Sequence, residues 1–208
     1  MVNMKSKIES DLKACKAAFD KVNIPWVIMG GIVLGYARYK DIMEWDTDVD
    51  IAVVSELTAS QRRVINSSLA ANGFRLNQTV GDFVFGTRET SFNIFFFHKN
   101  GEHYESFPKT LPGLKFVEKA LWYDKIQFLD FLCDKYPMPN HVENFVDAHY
   151  GSDWRTNIVK DHSVYFKNKR GLRDGSDWLR NRKRKEDGNL WWPALLKIEE
   201  DIGDFNEV

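Results

Sequence analysis

Residues 27–53, VIMGGIVLGYARYKDIMEWDTDVDIAV, decide the fold, because a glycine pair and three alternating aspartates lead into an apolar run. Asp46, Asp48 and Asp50 lie two residues apart, so on a strand their carboxylates project to the same side. Adjacent carboxylates repel unless a positive charge is shared between them. A divalent metal ion is the usual shared charge, so the stretch predicts a metal site at the start of a buried strand.

A simpler explanation for the acidic alternation is a solvated edge strand, on which charges deter aggregation. The run VDIAVV is too apolar for that explanation. Gly30 and Gly31 alone would indicate only a turn, but residues 32–39 after them have a helical pattern. A glycine turn that opens a helix offers N–H groups to an anion, and the missing Cβ lets a phosphate approach. Together these features predict a phosphoryl-transfer site.

Each remaining residue near the turn has a candidate role, and for Asp46, Arg38 and Trp45 alternatives stay open. Asp48 and Asp50 supply hard oxygen ligands suited to Mg²⁺ or Mn²⁺. Asp46 precedes the strand and is a third ligand, a residue that supports a ligand, or a loop residue. Arg38 is either a bidentate clamp on a diphosphate or an ordinary surface arginine. Trp45 either stacks on a base or choline head or only walls the pocket.

The hydrophobic periodicity of the chain predicts a mixture of helices and strands. Helices are expected around residues 8–22, 32–39, 58–72 and 140–150, the last two each with a capping-box pair, Thr58 with Gln61 and Asn140 with Glu143. Strands are expected in IPWVIMGG, DVDIAVV, GDFVFGTR and SFNIFFFH, and KNGE indicates a hairpin into HYESF. The segment IQFLDFLCDKY is either a buried strand or a short helix. This order predicts an α/β (α+β) domain with a mixed β-sheet flanked by helices.

Composition narrows the class of protein. The 208 residues fit one domain with a tail, and a net charge of −1 gives no reason to expect a nucleic-acid partner. Cys15 and Cys133 have no metal-ligand spacing, no apolar run is long enough to span a bilayer, and no signal-peptide core is visible. We therefore expect a soluble, cytoplasmic protein. We expect one domain over residues 1–165 and a basic extension over residues 166–208 that docks through Trp191 and Trp192.

The stretch GGIVLGYARYKDIMEWDTDVDIAV resembles the signature of the LicD/fukutin family, G-x-L-L-G-x-x-R followed by a W-D-D-D-I-D-I-like block. The matching positions are Gly30, Gly31, Leu34, Gly35, Arg38, Trp45, Asp46, Asp48, Asp50 and Ile51. FNIFFFHKNGEHY is similar to the family's D-I-F-F-F strand, and VENFVDAHYGSDW to its L-E-x-x-Y-G-x-x-W segment. The resemblance covers residues 24–161, and Asn93 stands where the family strand has its third carboxylate.

The resemblance implies a nucleotidyltransferase-like fold and a metal-dependent transferase. It implies transfer of a phospho-alcohol, such as phosphocholine or ribitol phosphate, from a CDP-activated donor to a glycan hydroxyl. On this basis the catalytic residues are Asp46, Asp48 and Asp50, and Mg²⁺ or Mn²⁺ is held by Asp48, Asp50 and Asn93. The substrate-binding residues are Gly30, Gly31, Arg38 and Trp45. One alternative is a nucleotidyltransferase that attaches NMP from an NTP to a small phosphate, sugar or protein hydroxyl, and another is a non-catalytic module that binds nucleotides or glycans.

Overall fold

The computed structural model describes residues 3–107, 116–151 and 153–156. Five helices and nine strands lie in these ranges. The helices are α1 (Met4–Val22), α2 (Gly31–Tyr39), α3 (Ala59–Ala71), α4 (Ala120–Tyr123) and α5 (Val142–Tyr150). The strands are β1 (Trp26–Met29), β2 (Asp48–Val54), β3 (Arg75–Val80), β4 (Phe83–Thr87), β5 (Ser91–Asn100), β6 (His103–Ser106), β7 (Phe116–Lys119), β8 (Gln127–Phe131) and β9 (Asp134–Met138). The domain boundary expected at residue 165 and the extension with Trp191 and Trp192 lie outside the described residues.

A mixed sheet forms the centre of the domain. Its strands run in the order β1-β2-β5-β4-β3, and β6 and β7 continue it from the far end of β5. The pair β2 and β5 is parallel, whereas the other pairs in the sheet are antiparallel. The prediction of an α/β domain with a mixed sheet flanked by helices is confirmed. None of the helices in the described ranges is long and apolar enough to cross a membrane.

The first face of the sheet is apolar in its central rows and carries the core. Its three central rows pair Val49 with Phe92, Ile51 with Ile94, and Val53 with Phe96, and all six side chains are buried. Helices α1 and α3 cover this face with Ile8, Leu12, Phe19, Ile65 and Leu69, which are also buried. Because strand side chains alternate, the residues between these positions, among them Asp48, Asp50 and Asn93, belong to the second face.

Two local expectations have opposite outcomes. The capping box at α3 is confirmed, because the Thr58 hydroxyl accepts from the Gln61 amide and the Gln61 side chain accepts from the Thr58 amide. The capping box at Asn140 is wrong. Helix α5 begins after His141, which has a left-handed backbone, and the Asn140 side chain instead bonds Gln127 and the Leu121 carbonyl. The Asn140 side chain therefore makes a tertiary contact instead of the helix cap that the local pattern predicted.

The ambiguous segment IQFLDFLCDKY is a β-hairpin rather than a single strand or a helix. Strands β8 and β9 pair antiparallel, and Leu132 and Cys133 form the turn between them with positive φ of 51° and 63°. The signal was weak because neither turn residue is a glycine or an asparagine, the residue types that usually mark such turns.

A buried glutamate–histidine pair attaches α5 to β7. His149 is a core histidine, and its Nδ1 lies 2.7 Å from the Phe145 carbonyl oxygen. Its Nε2 lies 3.1 Å from Glu118 Oε1, and burial raises the pKa of Glu118. The second oxygen, Glu118 Oε2, is buried with no hydrogen-bond partner among the described residues.

A buried aspartate on α1 holds the turn that leads into β5. Asp11 is fully buried, and its Oδ1 accepts from Arg88 Nη1 at 2.9 Å and from the Glu89 amide at 3.2 Å. Its Oδ2 accepts from the amide and the hydroxyl of Thr90 at 2.8 and 2.7 Å. One carboxylate therefore satisfies four donors directly before the strand that carries Asn93.

We predict that Asp11→Ala lowers the free energy of unfolding by about 3–5 kcal/mol, because it leaves Arg88 and two buried donors without their partner. Asp20→Ala is the matched control, since Asp20 lies on the same helix but is exposed and pairs with Lys16 one turn away. Its cost should stay within about 0.5 kcal/mol. Urea unfolding of the two variants measures both values, and equal costs would contradict the role given to Asp11.

Candidate active site

Two carboxylates open β2 on the second face of the sheet. Asp48 and Asp50 are the first and third residues of the strand, and both are half-buried. Asp50 lies opposite Met29 of β1 and Asn93 of β5 in the strand register. The sequence expectation that the alternating aspartates share one side of a strand is therefore confirmed for these two residues. Asp46 precedes the strand, in the loop after α2.

Asn93 contacts the carboxylate of Asp50. Its Nδ2 donates to Asp50 Oδ1 at 2.8 Å, a contact between residues 43 positions apart that the parallel pairing of β2 with β5 creates. In this arrangement the amide acts as a donor that orients Asp50. The role of Asn93 as a metal ligand remains a prediction, and it would use the amide oxygen rather than this nitrogen.

The two glycines make room for the aspartates. Gly30 has φ of +68°, and a Cβ there would lie 2.6 Å from Asp50 Oδ2. A Cβ on Gly31 would lie 2.8 Å from Asp46 Oδ2. The sequence argument attributed the missing side chains to the approach of a phosphate, and the structure adds a second reason that is internal to the protein. The turn brings the start of α2 directly against both carboxylates.

Asp46 is the most buried of the three aspartates, with 3% of its surface exposed. Its Oδ1 accepts from the Thr47 amide at 3.2 Å, and its Oδ2 has no hydrogen-bond partner among the described residues. Burial, and then the neighbouring Asp48, raise the pKa of Asp46 to about 7. A buried carboxylate oxygen without a donor is costly, and such groups cluster at functional sites.

The protein groups at this site supply some, but not all, of the oxygen ligands that a hard divalent cation needs. Within residues 3–107, 116–151 and 153–156, no three His, Cys, Asp or Glu side chains are arranged as a complete metal-binding cluster. The groups present are carboxylate oxygens beside a glycine cradle, with one buried oxygen that lacks a partner. This set fits Mg²⁺ or Mn²⁺, since magnesium sites commonly combine one or two carboxylates with water and substrate phosphates.

Arg38 connects α2 to the chain after α5. Its Nε donates to the Trp154 carbonyl oxygen at 2.5 Å, and its Nη1 lies 4.0 Å from the sulfur of Met43. Trp154 is buried, and its indole N–H donates to Asp147. At least one nitrogen of Arg38 therefore has a structural partner that the sequence did not indicate. The clamp on a diphosphate stays a prediction.

Trp45 and the motif residues after α5 have different surroundings. Trp45, the residue before Asp46, is half-buried and packs against the hydrophobic core. Tyr150 and Trp154 are buried near the end of α5 and have a packing role there. His103, a histidine that follows the motif strand β5, pairs with Asn100 at the far end of β5 from Asn93.

A family model described as LicD/FKTN/FKRP, nucleotidyltransferase domain, matches residues 23–141, which include the glycine turn, all three aspartates and Asn93. The chain belongs to this family. The resemblance inferred from the sequence motifs is thereby confirmed. No curated protein sequence matches the chain significantly.

Solved structures agree with the fold of the family. The solution structure of the antibiotic-resistance factor ANT(2'')-Ia is similar with a TM-score of 0.52 and 15% identity, over 78% of this chain and 82% of that chain. A crystal structure of ANT(2'')-Ia in complex with adenylyl-2''-tobramycin has a TM-score of 0.45 and 13% identity, over 77% and 89% of the two chains. At this identity the likeness concerns the fold alone. The family and the fold together support a transferase.

We predict that Gly31→Ala destabilises the protein by about 1–3 kcal/mol, because the new Cβ meets a buried carboxylate that cannot move away freely. On an ordinary helix the same change would stabilise by up to about 1 kcal/mol. The same glycine change is also made in an Asp46→Ala protein, which lacks the oxygen that the Cβ would meet. Thermal unfolding of the single and double variants should show a smaller cost in that background, and equal costs would exclude this contact as the reason for glycine.

Proposed function

We propose that this member of the LicD/FKTN/FKRP family transfers a phospho-alcohol, of the phosphocholine or ribitol phosphate type, from a CDP-activated donor to a glycan hydroxyl. The observation that carries the proposal is the corner formed by Gly30, Gly31, Asp46 and Asp50, where a positive-φ turn opens a helix directly against two carboxylates. Asp48 lies two residues before Asp50 on the same strand. A donor diphosphate needs this combination of N–H groups, close backbone and a metal-binding pair.

The reaction balances without any further reactant. The acceptor hydroxyl oxygen attacks the phosphorus on the alcohol side of the diphosphate, and a new P–O bond forms. The bond from that phosphorus to the bridging oxygen breaks, and CMP leaves with the electron pair. The hydroxyl proton passes to a base or to solvent. Bound at Asp48 and Asp50, Mg²⁺ or Mn²⁺ would supply neutralisation of the phosphate charge.

We assign to Asp46 the role of the base that accepts the proton of the acceptor hydroxyl. Asn93 occupies the position of a third carboxylate and cannot act as a base, because an amide has no basic oxygen at neutral pH. Asp46 Oδ2 is a carboxylate oxygen without a donor among the described residues, and it adjoins Gly31 at the start of α2. Geometry alone supports this assignment. The alternative for Asp46 is a third oxygen ligand in the same site.

The other residues of the corner bind and orient the donor in this proposal. The N–H groups at the start of α2, after Gly30 and Gly31, would face the diphosphate. Arg38 already gives its Nε to the Trp154 carbonyl, so a contact with phosphate would use the terminal nitrogens of its guanidinium. Trp45, the residue before Asp46, would limit the space for the head group of the donor.

The family description also favours a second candidate, attachment of NMP from an NTP to a small phosphate, sugar or protein hydroxyl. The two reactions use the same carboxylates and differ in which phosphorus is attacked. CMP release from CDP-choline or CDP-ribitol supports the first reaction, and pyrophosphate release from an NTP supports the second. A module that only binds nucleotides or glycans would give neither product with any donor.

We expect that Asp48→Ala and Asp50→Ala each reduce CMP release from CDP-choline or CDP-ribitol at fixed Mn²⁺ by a factor on the order of 10³ or more, because the diphosphate charge is no longer neutralised. Without metal, the unfolding temperature should stay level or rise, since a like-charge repulsion has been removed. Asp130→Ala, which removes an exposed carboxylate on β8, is the control and should change neither quantity. A sharp loss of stability in the metal-free Asp48→Ala protein would contradict the metal assignment.

We expect Asp46→Asn to lower the rate by about 10²–10⁴, the range associated with a positioned base. Asn93→Asp, which places a carboxylate at the third position of the site, is a second test of the same assignment. It replaces the 2.8 Å hydrogen bond to Asp50 with a like-charge contact, so it should lower metal-free stability and strengthen Mn²⁺ binding. If Asp46→Asn is silent while Asn93→Asp creates activity in an inactive protein, the natural chain is a binding module rather than a transferase.

A further inference from the structure

A pocket of about 320 Å³ lies between the end of α2, the strand β8 and the start of α5. We call it the α2–α5 pocket. The end of α2 contributes Tyr36 and Lys40, β8 contributes Gln127 and Leu129, and the start of α5 contributes residues 141–144. Pockets that hold small molecules have volumes of roughly 300 Å³ and more, so this one has room for a compact ligand.

The α2–α5 pocket is separate from the candidate active site. Helix α2 connects the two places, because it begins at the glycine turn and ends at Tyr39, directly before Lys40. A helix rises by about 1.5 Å per residue, so the nine residues of α2 separate its two ends by roughly 13 Å. None of the described residues of the glycine turn or of the aspartate block lines the pocket. The pocket therefore offers a second place for a ligand.

The charged groups of the α2–α5 pocket favour an anion. The Lys40 ammonium lies 3.9 Å from the centre of the Tyr36 ring, and among the described residues no carboxylate forms an ion pair with it. His141 adds a second basic side chain to the pocket. Glu143 is the acidic residue of the lining, and its carboxylate already pairs with Arg155. The excess of basic groups over acidic ones therefore attracts a negatively charged ligand.

The two basic residues of the pocket both have a left-handed backbone, with φ of 54° for Lys40 and 51° for His141. Glycine and asparagine are the residue types that adopt this conformation most readily. A lysine and a histidine at such positions are unusual, and residues in rarely populated backbone conformations cluster at functional sites. Here two of them line one pocket, and both carry the basic side chain that an anion needs.

The uncharged groups of the α2–α5 pocket suit a small hydroxylated molecule. The Gln127 Nε2 donates to Asn140 Oδ1 at 2.8 Å, which leaves the carbonyl oxygen of Gln127 as an acceptor for a ligand hydroxyl. Asn144 offers a second side-chain amide, and Leu129 is a half-buried apolar contact. The side chain of His141 makes no capping hydrogen bond at the start of α5, which adds to the attraction for an anion. An anionic group with hydroxyls attached matches this combination.

We propose that the α2–α5 pocket binds a small phosphate monoester that carries hydroxyl groups. The phosphate contacts Lys40 and His141, and a hydroxyl donates to Gln127. Lysine is a common phosphate ligand, and a phosphate monoester supplies the charge that the basic residues of the pocket attract. The proposal goes beyond the proposed function and does not depend on it, because no residue of the aspartate block takes part.

The test follows the backbone amide signals of the full chain by NMR, in metal-free buffer, during titration with inorganic phosphate and with glycerol 3-phosphate. The signals of Lys40 and of residues 142–144 should shift and saturate with both probes. Glycerol 3-phosphate should bind more tightly, because its hydroxyls reach Gln127. Glycerol is the neutral control and should leave these signals unchanged.

Three variants test the charge of the pocket. Lys40→Gln should weaken the binding of glycerol 3-phosphate by about tenfold or more, the loss expected for one hydrogen bond to a charged group. Lys13→Gln is the matched control, since Lys13 is an exposed lysine on α1, and it should leave binding unchanged. Asn144→Asp adds a negative charge to the first turn of α5, so it should weaken binding while the unfolding temperature holds or rises. The unfolding temperature thus separates loss of the ligand from loss of the fold.

Four results would overturn the proposal. They are the absence of saturable shifts at Lys40 and residues 142–144, equal shifts with glycerol, equal losses in Lys13→Gln and Lys40→Gln, and phosphate shifts confined to the glycine turn. The last result would assign the phosphate to the candidate active site. Phosphate binding at the α2–α5 pocket in a protein that releases no CMP would support the proposal while rejecting the proposed reaction.

Discussion

Repulsion between two carboxylates at the start of β2 is the constraint on which the surrounding structure depends. Positions two apart on a strand are separated by about 7 Å, which gives a repulsion of roughly 2 kcal/mol at an effective dielectric constant of about 20. Several neighbouring residues either donate to these carboxylates or leave room for them. Asn93 donates to Asp50, Gly30 leaves room for its second oxygen, and Gly31 leaves room for Asp46. The parallel pairing of β2 with β5 then fixes which residues can help, because it is this register that places Asn93 beside Asp50.

Residues from several distant parts of the sequence hold this corner in position. The apolar central rows of the first face fix β2 and β5 in register, since a shift by one residue would turn aspartates into the core. Asp11 on α1 holds the turn before β5, and so determines where that strand begins. Arg38 attaches the residues after α5 to the helix that starts at the glycine turn. Several side chains around the motif therefore have structural roles.

The sequence predicted what is encoded locally. The strand β2, the glycine turn, the helix α2 and the capping box of α3 follow from spacing within a few residues, and all are present. It failed where a distant partner decides. The side chain of Asn140 bonds Gln127 instead of capping α5, and Arg38 bonds Trp154, 116 residues away. Strand β3 escaped detection because most of its side chains are exposed, which leaves no apolar pattern to recognise.

The pair formed by Glu118 and His149 has a consequence for how this family can vary in sequence. The Nδ1 of His149 needs its hydrogen for the Phe145 carbonyl, so Nε2 and Glu118 Oε1 can have one further hydrogen between them. Whichever atom carries that hydrogen, the pair is neutral as a whole, and both side chains are fully enclosed. Loss of either residue alone leaves a buried polar group without its counterpart. The two positions should therefore be replaced together among relatives, and a pair of apolar residues of similar volume is the substitution that the surrounding aromatic rings can accept.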